Sequence, residues 1–544
     1  MDNDATTVDA VVVGAGFAGL YAIHRLRADG LTVRCIEAGS DVGGTWFWNR
    51  YPGARCDVES LDYSFSFSPE LEQDWDWTER YATQPEILRY LQHVAERLDL
   101  RRDITFDTRV EAATLDEEQL IWTVRTSSGE EVQARYLLLA TGPLSVANVP
   151  SLPGQDTFAG RTFHTGAWPH EGVDFTDRRV AVMGTGSSGI QVIPRIAQQA
   201  DHLFVLQRTA NYTVPAQNWF WDSEQLAEAK AVYRERRAAS WRSPAGTPAP
   251  PPDTATFDVD DDERRRIFEE RWNIGGARWL RTFSDTLADH AANAEAADFV
   301  HEKIGELVRD PEVAARLTPK GYPIGTKRIC VDTGYYETFN RPNVTLVDVR
   351  EDPVEAIEPA GVRLRSGALL EVDDFVYATG FDAMTGAVSR IDLRGRGGHV
   401  LRDVWGEGPR TALGLAVAGF PNLFILNGPG SPSVLSNMVL TSEQQVEWVA
   451  DALRYLRKHE LVAIEAEESA QAAWDDHCSS LANASMMFEA DSWYVGANIP
   501  GKPRVLLPYL GGLPRYMEEC DKVAADGYRG FAKIAAARQT AESA

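Results

Sequence analysis

Apolar positions along this chain fall into two alternating patterns: short unbroken runs, and stretches that repeat every three to four residues. Residues 9–13, Asp-Ala-Val-Val-Val, read as a buried parallel strand. Leu20, Ile23 and Leu26 then mark one face of a helix, and residues 33–37 form a second strand. Thr83-Gln84-Pro85-Glu86 has the form of a capping box with proline in the first turn, ahead of a helix face at Ile87, Leu91, Val94 and Leu98. Strands are expected at 108–113, 122–126 and 136–140. The alternation starts afresh with a strand at 179–183, a helix rich in Ile and Ala, and strands at 202–207, 344–349 and 374–377. Between them, residues 218–321 lose the strand pattern. Helical stretches at 226–237, 265–272 and 298–308 and a proline-rich loop at 243–253 suggest an all-helical insertion, and the acidic run at 258–263 reads as a solvated face. A further helix is expected at 442–457.

The two alternations open on the same kind of turn. Gly14, Gly16, Ala18 and Gly19 lie between the first strand and its helix; Gly184, Thr185, Gly186, Ser187 and Gly189 occupy the equivalent place in the second. Strand, glycine turn and helix together form a dinucleotide cradle: the first glycine permits the turn, the second lets backbone approach a pyrophosphate, and the third lets helix and strand pack closely. Twenty-three residues after the first glycine the chains differ, with Glu37 in one and Gln207 followed by Arg208 in the other. A carboxylate accepts free ribose hydroxyls and repels a 2′-phosphate, whereas a neutral residue followed by arginine accepts that phosphate. The first site therefore suits FAD and the second NADP(H). The expected fold class is α/β with two Rossmann-like dinucleotide-binding domains. The NADP domain is inserted in the FAD domain and carries the helical insertion. Expected boundaries are 1–143, 144–214, 215–323, 324–380 and 381–544. Ala140-Thr141-Gly142 and Ala378-Thr379-Gly380 are read as the points where the chain leaves and rejoins the first domain.

Two further stretches carry chemistry. Residues 43–57 mix Thr45, Trp46, Phe47, Trp48 and Tyr51 with glycines and arginines, as expected of irregular backbone around a flat polar ring. Lys327 and Arg328 place two adjacent cations after a Gly-Tyr-Pro turn. Composition narrows the rest. A chain of 544 residues exceeds one core, and a net charge of −26 repels nucleic acid and anionic membrane. No apolar run is long enough to span a bilayer, and the acidic start is no secretion signal. The five cysteines form no Cys-x-x-Cys pair, which argues against a disulfide framework, zinc or a dithiol redox centre. A cytoplasmic monomer or weak homo-oligomer is expected, with no metal.

Between the two cradles stands Phe158-x-Gly160-x-x-x-His164-Thr165-x-x-Trp168-Pro169-His170. This stretch, with residues 43–55, Lys327-Arg328, 378–382 and 496–502, resembles the type I Baeyer–Villiger monooxygenases over essentially the whole chain. Residues 428–438 resemble the steroid and phenylacetone monooxygenase branch. The resemblance implies an NADPH- and O2-dependent enzyme that inserts oxygen beside a ketone carbonyl through a flavin C4a-peroxide, giving an ester or lactone. Bulky cyclic, aryl or steroid-like ketones are the implied substrates, with sulfoxidation as a side activity. It implies Arg328 as the cation that steadies the oxygen anion and Asp57 as its partner. Arg208, Thr209 and Lys327 would cradle the 2′-phosphate, with Gln191 a further cofactor contact. Thr45, Trp46, Asp57, Tyr63, Val110 and Met438 would touch flavin, and Trp493 would cover the nicotinamide. Val58, Leu144, Val434 and Leu435 would line the substrate pocket. His164 is read as a satisfied core histidine, and the role of His170 stays open. Two rival readings are a flavin-containing N- or S-monooxygenase and, behind it, a non-catalytic NADPH-sensing flavoprotein.

Overall fold

The computed structural model describes residues 6–249 and 252–536. Two large sheets, each flanked by helices, dominate. The first has eight strands. At its centre Thr6–Val13 pairs in parallel with Val33–Ile36 on one side and Glu131–Leu139 on the other. Glu131–Leu139 then has two partners on its far edge: the antiparallel strand Ile121–Thr126 and, further along, the parallel strand Leu423–Ile425. Asp392–Arg394 joins the outer strand Val110–Asp116. Segments from both ends of the chain thus complete one sheet. The second sheet has five strands, all parallel, in the order Val344–Asp348, His202–Gln207, Arg179–Met183, Asp374–Tyr377, Arg161–His164. Strands such as Ala10–Val13 and Val180–Val182 are buried on both faces, which is why they read as unbroken apolar runs.

Five α-helices lie between the second sheet's strands, from Ser223–Ala231 to Pro311–Leu317. They pack on the second sheet through Phe268, Trp272, Trp279 and Phe299, whose rings interlock at centroid distances of 5.2–5.9 Å. The stretch expected as one helix over 226–237 is two, Ser223–Ala231 and Tyr233–Trp241, with Val232 at the break. The acidic run opens the helix Asp261–Ile274, where Asp260 caps the Glu263 amide.

Two other expectations change. The helix Gln84–Arg97 has no side-chain cap from Thr83. Glu86 instead accepts from the Thr78 amide and hydroxyl at 2.8 and 2.9 Å, so its carboxylate anchors the preceding loop. Both Ala-Thr-Gly motifs end strands against a glycine turn. A Cβ on Gly14 would stand 2.6 Å from the Ala140 carbonyl oxygen, and one on Gly184 would stand 2.4 Å from that of Ala378. Among the described residues, no helix is long and apolar enough to cross a membrane, and no cluster of potential ligands could hold a metal ion.

Candidate active site

The motif strand Arg161–His164 is the edge of the second sheet, and Arg161 reaches the buried Asp374 through two hydrogen bonds of 2.7 Å. His164 is buried, and burial pushes its pKa down. Its Nδ1 accepts the Gly166 amide at 2.9 Å, but its Nε2 is buried without a hydrogen-bond partner, so the expected fully satisfied core histidine is satisfied on one side only. Trp168 packs on Phe163 and Phe175. His170 lies 4.9 Å from the Phe47 ring, which joins the motif to the aromatic loop of the first domain.

The two cradles differ at the middle glycine: a Cβ on Gly16 would meet Gly44 Cα at 3.4 Å, whereas one on Gly186 would meet nothing. In the second, Gly184 has φ +110°, and a Cβ on Gly189 would collide with the Gly184 carbonyl oxygen at 2.2 Å. The protein itself requires those two glycines. Gly186 differs: its φ of −84° and ψ of −168° suit any residue, and a Cβ there would meet nothing within 4 Å. That open space, at the start of the helix Ser187–Ala197 with no side-chain cap, fits a pyrophosphate held by backbone amides. In the first cradle, Gly14 has φ +103° and a Cβ on Gly19 would stand 1.8 Å from the Gly14 carbonyl oxygen. The helix Phe17–Ala28, whose first turn includes Ala18 and Gly19, likewise starts without a side-chain cap.

Glu37 is buried at the end of its strand beside the first cradle. Its carboxylate accepts the Ala15 and Gly39 amides at 2.6 and 2.7 Å, and each oxygen retains a second lone pair for a ligand hydroxyl. Burial raises its pKa while those amides oppose the rise. Val110 begins a strand next to the Thr108 amide, which bonds the Glu37 carbonyl at 2.9 Å. The aromatic loop is more regular than expected: Thr45–Trp48 form a single helical turn packed so closely that Gly43 N–H bonds Ala15 C=O. Trp46 donates to the Tyr63 hydroxyl at 3.3 Å.

In the second cradle, Gln207 donates to the Arg316 carbonyl at 2.8 Å, so the acid's usual place is filled by a side chain turned away. Thr185 donates to the Thr209 carbonyl at 2.9 Å, and the Ser187 hydroxyl lies 3.3 Å from the Cys330 sulfur. Lys327 donates to the Asp491 carbonyl. Burial first, then the charges of Arg208 and Arg350, push the Lys327 pKa down to about 8, with Asp491 opposing. Arg350 was not foreseen from the sequence. It donates to the Thr209 hydroxyl at 2.7 Å and stands over one hundred positions from it along the chain, so no local pattern marks it. Among the described residues Arg208, Lys327 and Arg350 make no ion pair with a carboxylate, which leaves three cations for a phosphate. The Gln191 amide is committed to protein: it accepts from the Tyr51 hydroxyl at 2.8 Å and donates to the Arg55 carbonyl at 3.0 Å, clamping the aromatic loop to the second cradle.

A cavity of ≈ 850 Å³ lies where the helical segment meets residues 57–59, 324–329 and 432–436. Arg328 and Asp57 line it. The guanidinium donates through Nε and Nη2 to both Asp57 oxygens at 3.1 and 2.7 Å, and through Nη1 to the Val434 carbonyl at 2.7 Å. The charge of Asp57 raises the Arg328 pKa against the effect of burial. Tyr494, a buried neighbour of the predicted Trp493, also lines the cavity and faces Arg328. Val58, Val434 and Leu435 line it as well. Leu144 does not; it belongs to the apolar cluster behind, with Met438, Trp493 and Leu435. The Trp493 ring lies 4.3 Å from that of Tyr494, tilted by 46°, in the short turn Trp493–Val495.

Comparison with known proteins agrees with this geometry. The flavin-binding monooxygenase-like family profile matches residues 8–222. The chain is 45% identical over 531 residues to a Baeyer–Villiger monooxygenase of Pseudooceanicola batsensis, covering 96% of this chain and 95% of that one. It is 41% identical to the phenazine N-monooxygenase PhzNO1 of Lysobacter antibioticus, covering 98% of each. Oxidised steroid monooxygenase bound to NADP superposes with a TM-score of 0.93 at 56% identity, covering 97% of this chain and all of that one. With two nucleotide cradles, a paired arginine on a cavity wall and full-length likeness of this order, the chain belongs to the type I Baeyer–Villiger monooxygenases, enzymes that use FAD and NADPH to oxygenate ketones.

Proposed function

We propose that this enzyme inserts one atom of O2 beside the carbonyl of bulky cyclic, aryl or steroid-like ketones, forming esters or lactones in the cavity that Arg328 and Asp57 line. The observation that carries this reading is the Arg328 geometry: a permanently charged, planar donor held by Asp57 and the Val434 carbonyl at the wall of a cavity of ≈ 850 Å³. Amides of the cradle at Gly14, Gly16 and Gly19, with Glu37, would hold FAD; Gly184, Gly186, Gly189, Arg208, Thr209 and Lys327, joined by Arg350, would hold NADPH. When bound, FAD takes two electrons from NADPH and uses them to activate O2, which supplies the transferred oxygen atom.

The chain's own residues do the rest. Asp57 orients the guanidinium by accepting two of its hydrogen bonds. Arg328 then donates toward the ketone oxygen as negative charge gathers on it, which lowers the barrier without reorganisation at the moment of reaction. Val58, Val434 and Leu435 give the substrate an apolar wall and keep water from the charged centre. Tyr494 closes the side nearest Arg328, with Trp493 packed against it. The test is NADPH-dependent oxygen uptake across cyclic, aryl and steroid ketones, with products identified by mass. Ester or lactone carrying one new oxygen supports the reading; oxygen uptake that no ketone stimulates overturns it.

Likeness to the phenazine N-monooxygenase favours a second activity, oxygen transfer to a heteroarene nitrogen. Such transfer needs no cation to steady a carbonyl oxygen. Loss of Arg328 would therefore abolish ester formation and spare oxidation of a heteroarene nitrogen or a sulfide.

A further inference from the structure

The cavity has more positive charge than the ketone chemistry uses. Arg328 is neutralised by Asp57, and the lining carboxylate of Glu59 is paired with Arg80 and Arg236. Arg278, also on the lining, stands 3.5 Å from the buried Asp62. Arg281 is different. It closes the short turn Ala277–Arg281 of the helical segment and lines the cavity, yet among the described residues it makes no ion pair and no hydrogen bond. Arg281 is exposed, on the cavity wall beside Arg278 and Leu280. Desolvation lowers its pKa, and no carboxylate is close enough to offset the fall. Asp253, the remaining acid on the lining, exerts no influence on it. Arg271, in the helix Asp261–Ile274, lines the same space and likewise has no ion pair.

An unpaired guanidinium on a cavity wall is a charge that no group of the protein claims. A ligand that brought its own negative charge would pair with it in a fork geometry. We propose that Arg281 is the anchor for a carboxylate on the substrate, so that this enzyme prefers ketones bearing an acid group remote from the carbonyl. Arg328 then takes the carbonyl end and Arg281 the acid end of one molecule across the cavity. This rests on the ketone-oxygenating reading and adds to it the substrate's charge. It also accounts for local positive charge on the cavity of a protein whose net charge is −26.

The test uses the FAD-loaded enzyme and a matched pair, a carboxyphenyl-substituted methyl ketone and its methyl ester. Wild type is expected to prefer the acid, mainly through a lower KM. In Arg281→Gln, kcat/KM for the acid falls by roughly 10- to 100-fold, the range for one hydrogen bond to a charged group, while the neutral ester is unchanged within about twofold. Arg281→Lys restores part of the preference, because the charge returns without the planar fork. Direct binding of the acid to the oxidised enzyme without NADPH, by calorimetry, separates the two ideas. Binding that is lost in Arg281→Gln supports the anchor even if no ketone is turned over, a result that would overturn only the oxygenation reading. Equal use of acid and ester by wild type, or an equal loss of both in Arg281→Gln, overturns the anchor.

Discussion

Replacing Arg328 with alanine removes one fixed charge and three donated hydrogen bonds, two to Asp57 and one to the Val434 carbonyl. The catalytic loss is set by the first of these. A preorganised donor aimed at developing oxyanion charge contributes ~3–4 kcal/mol, so ester formation should fall about 100- to 1,000-fold or more. The structural loss is smaller. The Arg328 and Asp57 side chains retain 28% and 19% of their exposure, so water can partly resolvate the orphaned carboxylate, and about 1–3 kcal/mol of stability is at stake. The two effects separate in the assay. Bleaching of the flavin absorbance by NADPH without oxygen should persist in Arg328→Ala, while ester formation in air disappears. Arg328→Lys keeps the charge but loses the fork that grips Asp57, and should recover part of the rate. If Arg328→Ala forms ester within about threefold of wild type, far inside the expected loss, the cation has no part in the reaction and the proposed chemistry falls.

Other perturbations test the nucleotide sites. Gly186→Ala should fold with stability within about 1 kcal/mol of wild type, because its Cβ meets only open space, yet raise KM for NADPH at least about tenfold by blocking phosphate approach; an unchanged KM would mean that the space is not a phosphate site. Gly189→Ala should instead lower Tm steeply, since its Cβ would sit 2.2 Å from the Gly184 oxygen. Lys327 is charged below its pKa of about 8, so NADPH affinity should weaken as pH rises through that value, and Lys327→Arg should flatten the profile; a profile identical in both enzymes would remove Lys327 from the phosphate cradle. Arg350→Ala should raise KM for NADPH by roughly three- to thirtyfold and leave NADH unaffected, as steady-state kinetics with the two nucleotides would show.

Much of this molecule is legible in one dimension because its main devices are local. A glycine turn needs its strand, its helix and its three glycines within a few positions, and a parallel strand buried on both faces must be an unbroken apolar run. The exchange of Glu37 for Gln207 and Arg208 sits at a fixed offset from each turn, so the preference for two different dinucleotides is readable by counting. Family likeness added Arg328, Asp57 and the cavity wall at Val58, Val434 and Leu435, which no spacing would have linked.

What only the tertiary structure decides is where side chains spend their hydrogen bonds. Glu86 sits at the capping-box position, yet gives its carboxylate to Thr78. Gln191 spends its amide on Tyr51 and Arg55. The break at Val232 divides a helix whose periodicity alone looked continuous. Arg350 beside Thr209 and Arg281 on the cavity lie far in the chain from the residues they join. An arginine in a sequence is a charge without a partner; only the fold shows whether a carboxylate stands near enough to claim it.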